Sequence, residues 1–315
     1  MKGPKFSIII PCYNGKEFLR ECFTSIKEQT FEDYEIIFVD DNSKDGSFEY
    51  ALSLKKKLDL KGEFFQKEKS IKTGVSSSRN LAINKASGEW IAFLDCDDYF
   101  EPNKLEIINH HISLNPNAFA IHHSYTKFGD EIPNSIIKIK DSIPHDFDFL
   151  IQGNPIGTST VVVSKNVIKE MGGFNTNLNG VEDFFLWCRI ANKLGPWTYI
   201  SAALTFYRYL PSSLMSQRKL VYYVDQMCNF YQEAKSCGEF NTMQLGKIRN
   251  HLFYEELNYK MKISLENYGI LDFLSGIARL IKRGEKKPAF HHLIIRLKNS
   301  TLLFLSKAIK PRSKK

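Results

Sequence analysis

Residues 89–100 read Glu-Trp-Ile-Ala-Phe-Leu-Asp-Cys-Asp-Asp-Tyr-Phe. An apolar run, Trp90 to Leu94, meets three carboxylates, Asp95, Asp97 and Asp98, with no turn residue between. An unbroken apolar run of this kind predicts a strand buried on both faces. Carboxylates do not stay in such an interior unless they are paired or hold a cation. The expected geometry is therefore a central strand whose C-terminal end opens into a crevice, where open α/β sheets bind ligands. Asp95 and Asp97 are two apart and project to the same side of an extended segment. Such an Asp-x-Asp pair suits a hard divalent ion that also carries substrate phosphates. A solvated acidic turn after a strand is the competing reading of the same residues.

Upstream, the chain alternates strand and helix patterns. Phe6–Ile10 reads as a buried strand ended by Pro11, which cannot donate to a ladder. Cys12-Tyr13-Asn14-Gly15 is a turn, and a helix follows to about Gln29 with Phe18, Leu19, Cys22, Phe23 and Ile26 at helical spacing. Tyr34–Val39 is a second strand running into Asp40-Asp41-Asn42-Ser43, a polar cluster that can cap a helix near 46–60. Phe64-Phe65-Gln66 is a weaker third strand, and Gly74 with Ser76–Ser78 leads into a helix with Arg79 and Asn80 near its start. This order predicts an α/β fold with a mostly parallel, doubly wound (Rossmann-like) sheet flanked by helices. Right-handed crossovers would bring 11–14, 40–43 and 95–98 to one sheet edge.

Downstream, residues 102–115 read as a helix and Ala118–His123 as a strand. The adjacent His122 and His123 face opposite sides of that strand and cannot share a metal. Residues 129–147 are polar and loop-like, and the β-branched run Thr158–Ser164 predicts another strand, followed by a short helix to Met171. Residues 172–181 form an irregular Gly/Asn loop that enters a helix at Glu182-Asp183. Acids in a first helical turn are favoured by the helix dipole, which lowers their pKa, so capping alone accounts for them. A carboxylate aimed from that junction into a cleft could also accept a proton. Thr205–Tyr209 reads as a strand passing into a polar loop, where Arg208 could meet a diphosphate or an acceptor, or anchor the loop.

At 315 residues, 43% of them hydrophobic, the chain has the composition of a soluble globular protein. No apolar run approaches membrane-spanning length, and six cysteines without ligand spacing suggest neither a disulfide framework nor a zinc site, so a reducing cytoplasm is expected. The net charge of +8 is segregated: residues 278–315 carry twelve Lys or Arg against Glu285 alone, leaving −3 for the rest. From about Gln217 the pattern is helical, with an apolar stripe over 270–281 and a basic amphipathic pattern over 290–309. That tail suits the anionic inner face of a membrane, each cation near the surface adding about 1 kcal/mol, or a helical subdomain with a basic end.

The motifs in order are Ser-Ile-Ile-Ile-Pro-Cys-Tyr-Asn (7–14), Val-Asp-Asp-Asn-Ser-Lys-Asp-Gly-Ser (39–47), Gly74 with Arg79-Asn80, and Phe-Leu-Asp-Cys-Asp-Asp (93–98). They continue with Gly-Gly-Phe (172–174), Glu182-Asp183 with Trp187, and Tyr207-Arg208. Each is weak alone, but the ordered set resembles the inverting, nucleotide-sugar-dependent glycosyltransferases of family 2 over roughly residues 5–216. The resemblance implies a GT-A fold, a catalytic domain over 1–216 and a helical C-terminal region over 217–315. It implies transfer of a hexosyl or N-acetylhexosaminyl group from a UDP-sugar to a hydroxyl in surface polysaccharide or lipid-linked glycan synthesis.

Roles follow residue by residue. Pro11 and Tyr13 should border the nucleobase, with Asn14, Asp40 and Cys96 nearby. Asp41 should bind the uracil edge, and Arg79 and Arg208 should contact the nucleotide. Asp95 should meet the ribose or the metal, and Asp97 should bind the Mn2+ or Mg2+ that bridges the diphosphate. Asp183 should be the general base, with Glu182 and Trp187 on the acceptor side. Many relatives place a histidine shortly after Tyr-Arg, where this chain has Tyr209-Leu210-Pro211, so no histidine role carries over and Ser213 and Ser216 are left as phosphate contacts. No nucleic-acid partner and no particular oligomeric state is assigned. A sugar-nucleotide nucleotidyltransferase is the alternative enzyme class, although it would want a glycine-rich basic loop after the first strand. A non-catalytic, membrane-associated sugar-nucleotide-binding protein is the non-enzymatic alternative.

Overall fold

A computed structural model of the chain describes residues 3–130, 132–139, 141, 143–210 and 220–255. The C-terminal tail and Ser213 and Ser216 lie outside the described residues. Two compact units divide at Asn241/Thr242. The first is a sheet with helices on both faces, and the second begins with a helical run over 242–255.

The sheet starts with four strands, β1 (Phe6–Cys12), β2 (Tyr34–Asp40), β3 (Gly62–Gln66) and β4 (Trp90–Phe93). All pair in parallel, in the order β3-β2-β1-β4. Every residue of β1 and β4 is buried, as apolar runs without alternation require. Even-numbered Ile8, Ile10, Ile36, Phe38 and Ala92 pack with α1 (Leu19–Lys27), whose Cys22, Phe23 and Ile26 form its inner stripe. Phe23 meets Phe38 edge-on at 5.6 Å. On the opposite face Phe93 meets Trp187 of α7 (Glu182–Leu194) at 5.9 Å and Phe174 at 5.4 Å. Burying each such side chain contributes about 1.5–3 kcal/mol before ordering costs. Between β2 and β3 runs α2 (Ser47–Lys57), whose start is tied down by Asp45 accepting from Ser47 N at 3.0 Å. Between β3 and β4 runs α3 (Val75–Lys85), and after a two-residue strand β5 (Tyr99–Phe100) comes α4 (Lys104–Leu114).

Pro11 does not end β1. The strand continues to Cys12, with Pro11 in register with Val39. Ile9 O accepts from Leu94 N, so Ile9 and Pro11 turn their backbone polar groups toward β4, and β4 pairing stops at Ile9–Phe93. The proline's missing N–H therefore faces a side with no strand to bond.

The second half of the sheet is mixed. Strand β6 (Ala120–Gly129) outruns its sequence expectation and forms a hairpin with β7 (Ile132–Ile137), in the stretch expected to be a loop. That loop reading fails because β7 is an edge strand whose side chains are mostly exposed, so no buried alternation marks it. A short helix α5 (Phe147–Leu150) follows, N-capped by Asp146. The run Thr158–Ser164 divides into a single 3₁₀ turn, Thr158–Thr160, and a short strand β8 (Val162–Ser164) antiparallel to both β4 and β6. After α6 (Lys165–Glu170) and α7, strand β9 (Thr198–Arg208) lies parallel to β6 and antiparallel to β5. The last helix of the first unit, α8 (Leu220–Ser236), seats Phe230 against Phe184 and Phe185 of α7. No helix among the described residues is long and apolar enough to cross a membrane.

Candidate active site

The ends of β1, β2 and β4 converge as their carboxylates and turns suggested. Asn14, at φ 51°, takes a left-handed turn that an asparagine tolerates. Its N–H donates to Ser43 Oγ (2.8 Å), and its Oδ1 accepts from Lys44 N (2.7 Å), stapling the first turn to the second. Gly15 fits because nothing larger would: a Cβ there would lie 2.7 Å from Cys96 Sγ and 3.3 Å from Cys12 Sγ. Cys96 thus lines the turn that carries Tyr13, which is 63% exposed and free to stack. Asp41 accepts from Gly74 N at the start of α3 (2.6 Å) and pairs with the buried Lys67. Lys67 also donates to Ser77 Oγ (2.8 Å) and Ser78 Oγ (3.1 Å), a cluster that no sequence motif flagged.

Four of the expected site residues are packed or hydrogen-bonded against other protein groups. Asp40 has no exposed surface: its Oδ2 accepts from Ser43 N and Gln66 Nε2, both at 3.0 Å, and braces the turn from within. Trp187 is likewise fully buried, among Phe93, Phe174 and Trp197, and packs as a core residue. Arg208 lies against the rings of Phe18 and Phe128, donates Nε–H to Asp97 O (2.9 Å) and pairs with Glu21. Its guanidinium braces the acidic loop. Arg79 is buried, and its guanidinium donates to Asp95 Oδ1 (2.6 Å) and Glu182 Oε1 (3.3 Å). It stands between the acidic strand end and the Glu-Asp helix start and joins them into one site.

That junction is reinforced by two links. Asn80 clamps the Gly-Gly-Phe loop: its Nδ2 donates to Phe174 O and its Oδ1 accepts from Phe174 N, both at 2.8 Å. The 3₁₀ turn threads between the two acidic groups. Ser159 Oγ accepts from Asp95 N (3.0 Å), and Thr158 Oγ1 donates to Asp183 Oδ2 (2.9 Å). Neither hydroxyl was legible as a site residue, because Thr-Ser-Thr ahead of Val-Val-Val reads simply as strand.

The carboxylates crowd one another. Asp97 is pushed up to about 6 by burial and by Asp95, and Asp98, which is buried and accepts from Arg208 N (2.8 Å), is raised well above the usual carboxylate range by burial and Asp97. Asp183 is also raised to about 6, by burial and by Glu182, against the lowering pull of Arg79 and Thr158. The expectation that the helix N-terminus keeps Asp183 at a low pKa is therefore reversed: desolvation outweighs the dipole.

The donor set fits a hard divalent ion at Asp97 and the second oxygen of Asp95. Both carboxylates are partly open, and the excess negative charge that lifts Asp97 is what a cation would relieve. No group of three or more protein ligands is assembled among the described residues, so such an ion would complete its shell with phosphate oxygens and water.

Residues 7–167 match the family described as Glycosyl transferase family 2. The chain belongs to that family. An uncharacterised glycosyltransferase of Rickettsia bellii is 33% identical over 199 residues, covering 61% of this chain and 27% of the relative. One from Haemophilus influenzae is 32% identical over 174 residues, covering 54% of this chain and 66% of the relative. The chain thus spans less than two thirds of either relative. Among solved structures, S. aureus TarS 1–349 in complex with UDP-GlcNAc superposes with a TM-score of 0.66 at 19% identity, covering 85% of this chain and 77% of that one. The mannosyltransferase PcManGT of Pyrobaculum calidifontis, in complex with GDP-Man and Mn2+, superposes at 0.61 and 16% identity, covering 93% and 84%. These likenesses show the GT-A fold for this family 2 chain. The family match covers the Asp95/Asp97 strand end and stops before Glu182-Asp183.

Proposed function

We propose that this chain is an inverting glycosyltransferase that moves a hexosyl or N-acetylhexosaminyl group from a UDP-sugar to an acceptor hydroxyl, with Asp183 as general base. One observation carries the reading: Arg79 ties Asp95 to Glu182, which gathers a nucleotide-facing acidic strand end and a proton-accepting helix start around one cation. On this reading residues 1–216 form the catalytic segment. The donor nucleotide lies over Pro11, Tyr13, Asn14 and Cys96, with Asp41 accepting from the base. The family relationship and the nucleotide sugars held by structures of the same fold, UDP-GlcNAc and GDP-Man, support a nucleotide-sugar donor, and the first of them favours UDP.

Breaking the anomeric carbon–oxygen bond leaves a nucleoside diphosphate with extra negative charge. A divalent ion held by Asp97 and Asp95 would stabilise that charge as a Lewis acid, so no protein acid is needed at the leaving group. The chain's own work is on the other reactant. The acceptor hydroxyl must lose its proton as attack develops, and Asp183, with a pKa of about 6, is ionised at neutral pH yet basic enough to take it. Glu182, fixed by Arg79 and by accepting from Gly180 N, holds the negative wall against which the base stays oriented.

We extend the proposal to the acceptor and its place in the cell: a surface polysaccharide or lipid-linked glycan, made on the cytoplasmic side, with the basic segment 278–315 resting on anionic lipid. Segregation of +11 into 38 terminal residues supports it. The deciding experiment is a thermal-shift screen of nucleotide sugars with Mn2+ and Mg2+, followed by transfer assays on the donor it selects. Asp183→Asn should cut kcat by about 10²–10⁴-fold with donor binding kept. Near-wild-type transfer by that variant would refute the base assignment. Asp97→Ala should abolish metal-dependent UDP binding in calorimetry.

A further inference from the structure

The carboxylate of Asp183 is held from three sides. Its own helix supplies Phe184 N–H to Oδ1 at 2.6 Å, and Asn154 Nδ2 approaches the same oxygen at 3.4 Å. Only Thr158 reaches Oδ2 among the described residues, at 2.9 Å. Thr158 is 6% exposed and sits in the 3₁₀ turn, whose next residue accepts from the backbone of Asp95. An ionised carboxylate is acceptor-only, so the hydroxyl must donate. That donation fixes the rotation of the carboxylate about its Cβ–Cγ bond and leaves the remaining lone pair on Oδ2 for an incoming hydroxyl.

We infer that Thr158 is a positioning residue for Asp183: its hydroxyl orients the carboxylate and stabilises its ionised form, and the turn ties that orientation to the backbone of the acidic strand end. This rests on Asp183 being the base, as proposed above. The other charged or titratable groups facing Asp183 are Glu182 beside it, Arg79 from α3 and the buried Cys188 further along α7. Of these, Arg79 pulls in the same direction as Thr158, and Glu182 opposes it. Thr158 differs from both in being neutral and directional, so its removal changes the hydrogen bond without changing the charge of the site.

The test uses the full chain labelled with ¹³C at aspartate carboxyls and followed by NMR against pH, which requires no knowledge of donor or acceptor. The Asp183 resonance is assigned by its absence in Asp183→Asn. In the wild type it should titrate near pH 6. In Thr158→Val, which keeps the branched shape and loses the hydroxyl, the midpoint should rise by about one pH unit, and Thr158→Ser should restore it. The acid limb of kcat/KM for sugar transfer should move by the same amount. An Asp183 midpoint unchanged in Thr158→Val overturns the inference. Should valine fail to fold, Thr158→Ala carries the same readout. Transfer that survives in Asp183→Asn would overturn the base assignment instead, whatever Thr158 does, so the two failures are separable.

Discussion

Asn80 and Phe174 lie 94 residues apart in the chain, yet one side-chain amide satisfies both backbone groups of the phenylalanine. The glycine pair before it shows how narrow the fit is. Gly172 and Gly173 both have positive φ, 73° and 77°. A Cβ on Gly172 would meet nothing within 4 Å, whereas one on Gly173 would lie 2.5 Å from Asn80 Oδ1. Gly172→Ala should therefore cost only the left-handed backbone penalty, about 1–2 kcal/mol. Gly173→Ala should cost clearly more and expel the Asn80 amide, which chemical denaturation of the two variants would compare. Equal losses would mean that Asn80 moves aside freely. These two motifs were legible as a family signature, but their function as a mutual clamp was not. Residue types announce an asparagine and a glycine, and only the folded chain announces that they touch.

At the scale of elements, α7 has two separate tasks. Its first turn carries Glu182 and Asp183 toward the cleft, and its buried side stacks Phe185, Trp187 and Ile190 into the core. Trp187 was grouped with the acceptor contacts because the family signature places it near the acids. Its ring packs into the core, against Phe93 and Phe174. Trp187→Ala should accordingly lower stability by about 3–5 kcal/mol, seen as a fall in Tm, with no selective rise in acceptor KM for the protein that remains folded. A raised KM at unchanged Tm would restore the acceptor role. Elements built on continuous apolar runs, β1, β2 and β4, were readable because burial on both faces leaves an unmistakable pattern. Strand β7 and the Thr158–Thr160 turn were not readable: the first is exposed at an edge, and the second has the composition of the strand that follows it. The antiparallel insertion of β8 beside β4 is a choice among sheet neighbours, on which local sequence is silent.

For the whole molecule, the raised carboxylates make stability depend on pH and on cations. Asp97 and Asp183 rise from the ordinary aspartate pKa of 3.8 to about 6 on folding, so the folded state binds their protons more tightly than the unfolded chain does. Stability from these groups is present below about pH 4 and is lost as pH rises through 6, roughly 1.4 kcal/mol per unit of pKa difference before solvent screening. Asp183→Asn should thus gain thermal stability over the wild type at pH 7.5 and show little gain at pH 4. A divalent cation should reverse part of the penalty, raising Tm more at pH 7.5 than at pH 5, where a protonated Asp97 ligates poorly. Differential scanning calorimetry with and without Mn2+ would check both, and a cation effect independent of pH would count against Asp97 as a ligand.

The late arrival of β8 also bears on how the chain leaves the ribosome. Strands β1 to β4 are all present once about a hundred residues have emerged, and they can pair with one another in parallel as they appear. Their outer edge, Trp90–Ala92, has no partner until Val162–Ser164 is synthesised. For that interval the nascent protein displays a wholly apolar strand edge, the kind of surface that recruits another chain unless it is shielded. The strand that ends in the acidic cluster is therefore a moment of vulnerability in biosynthesis.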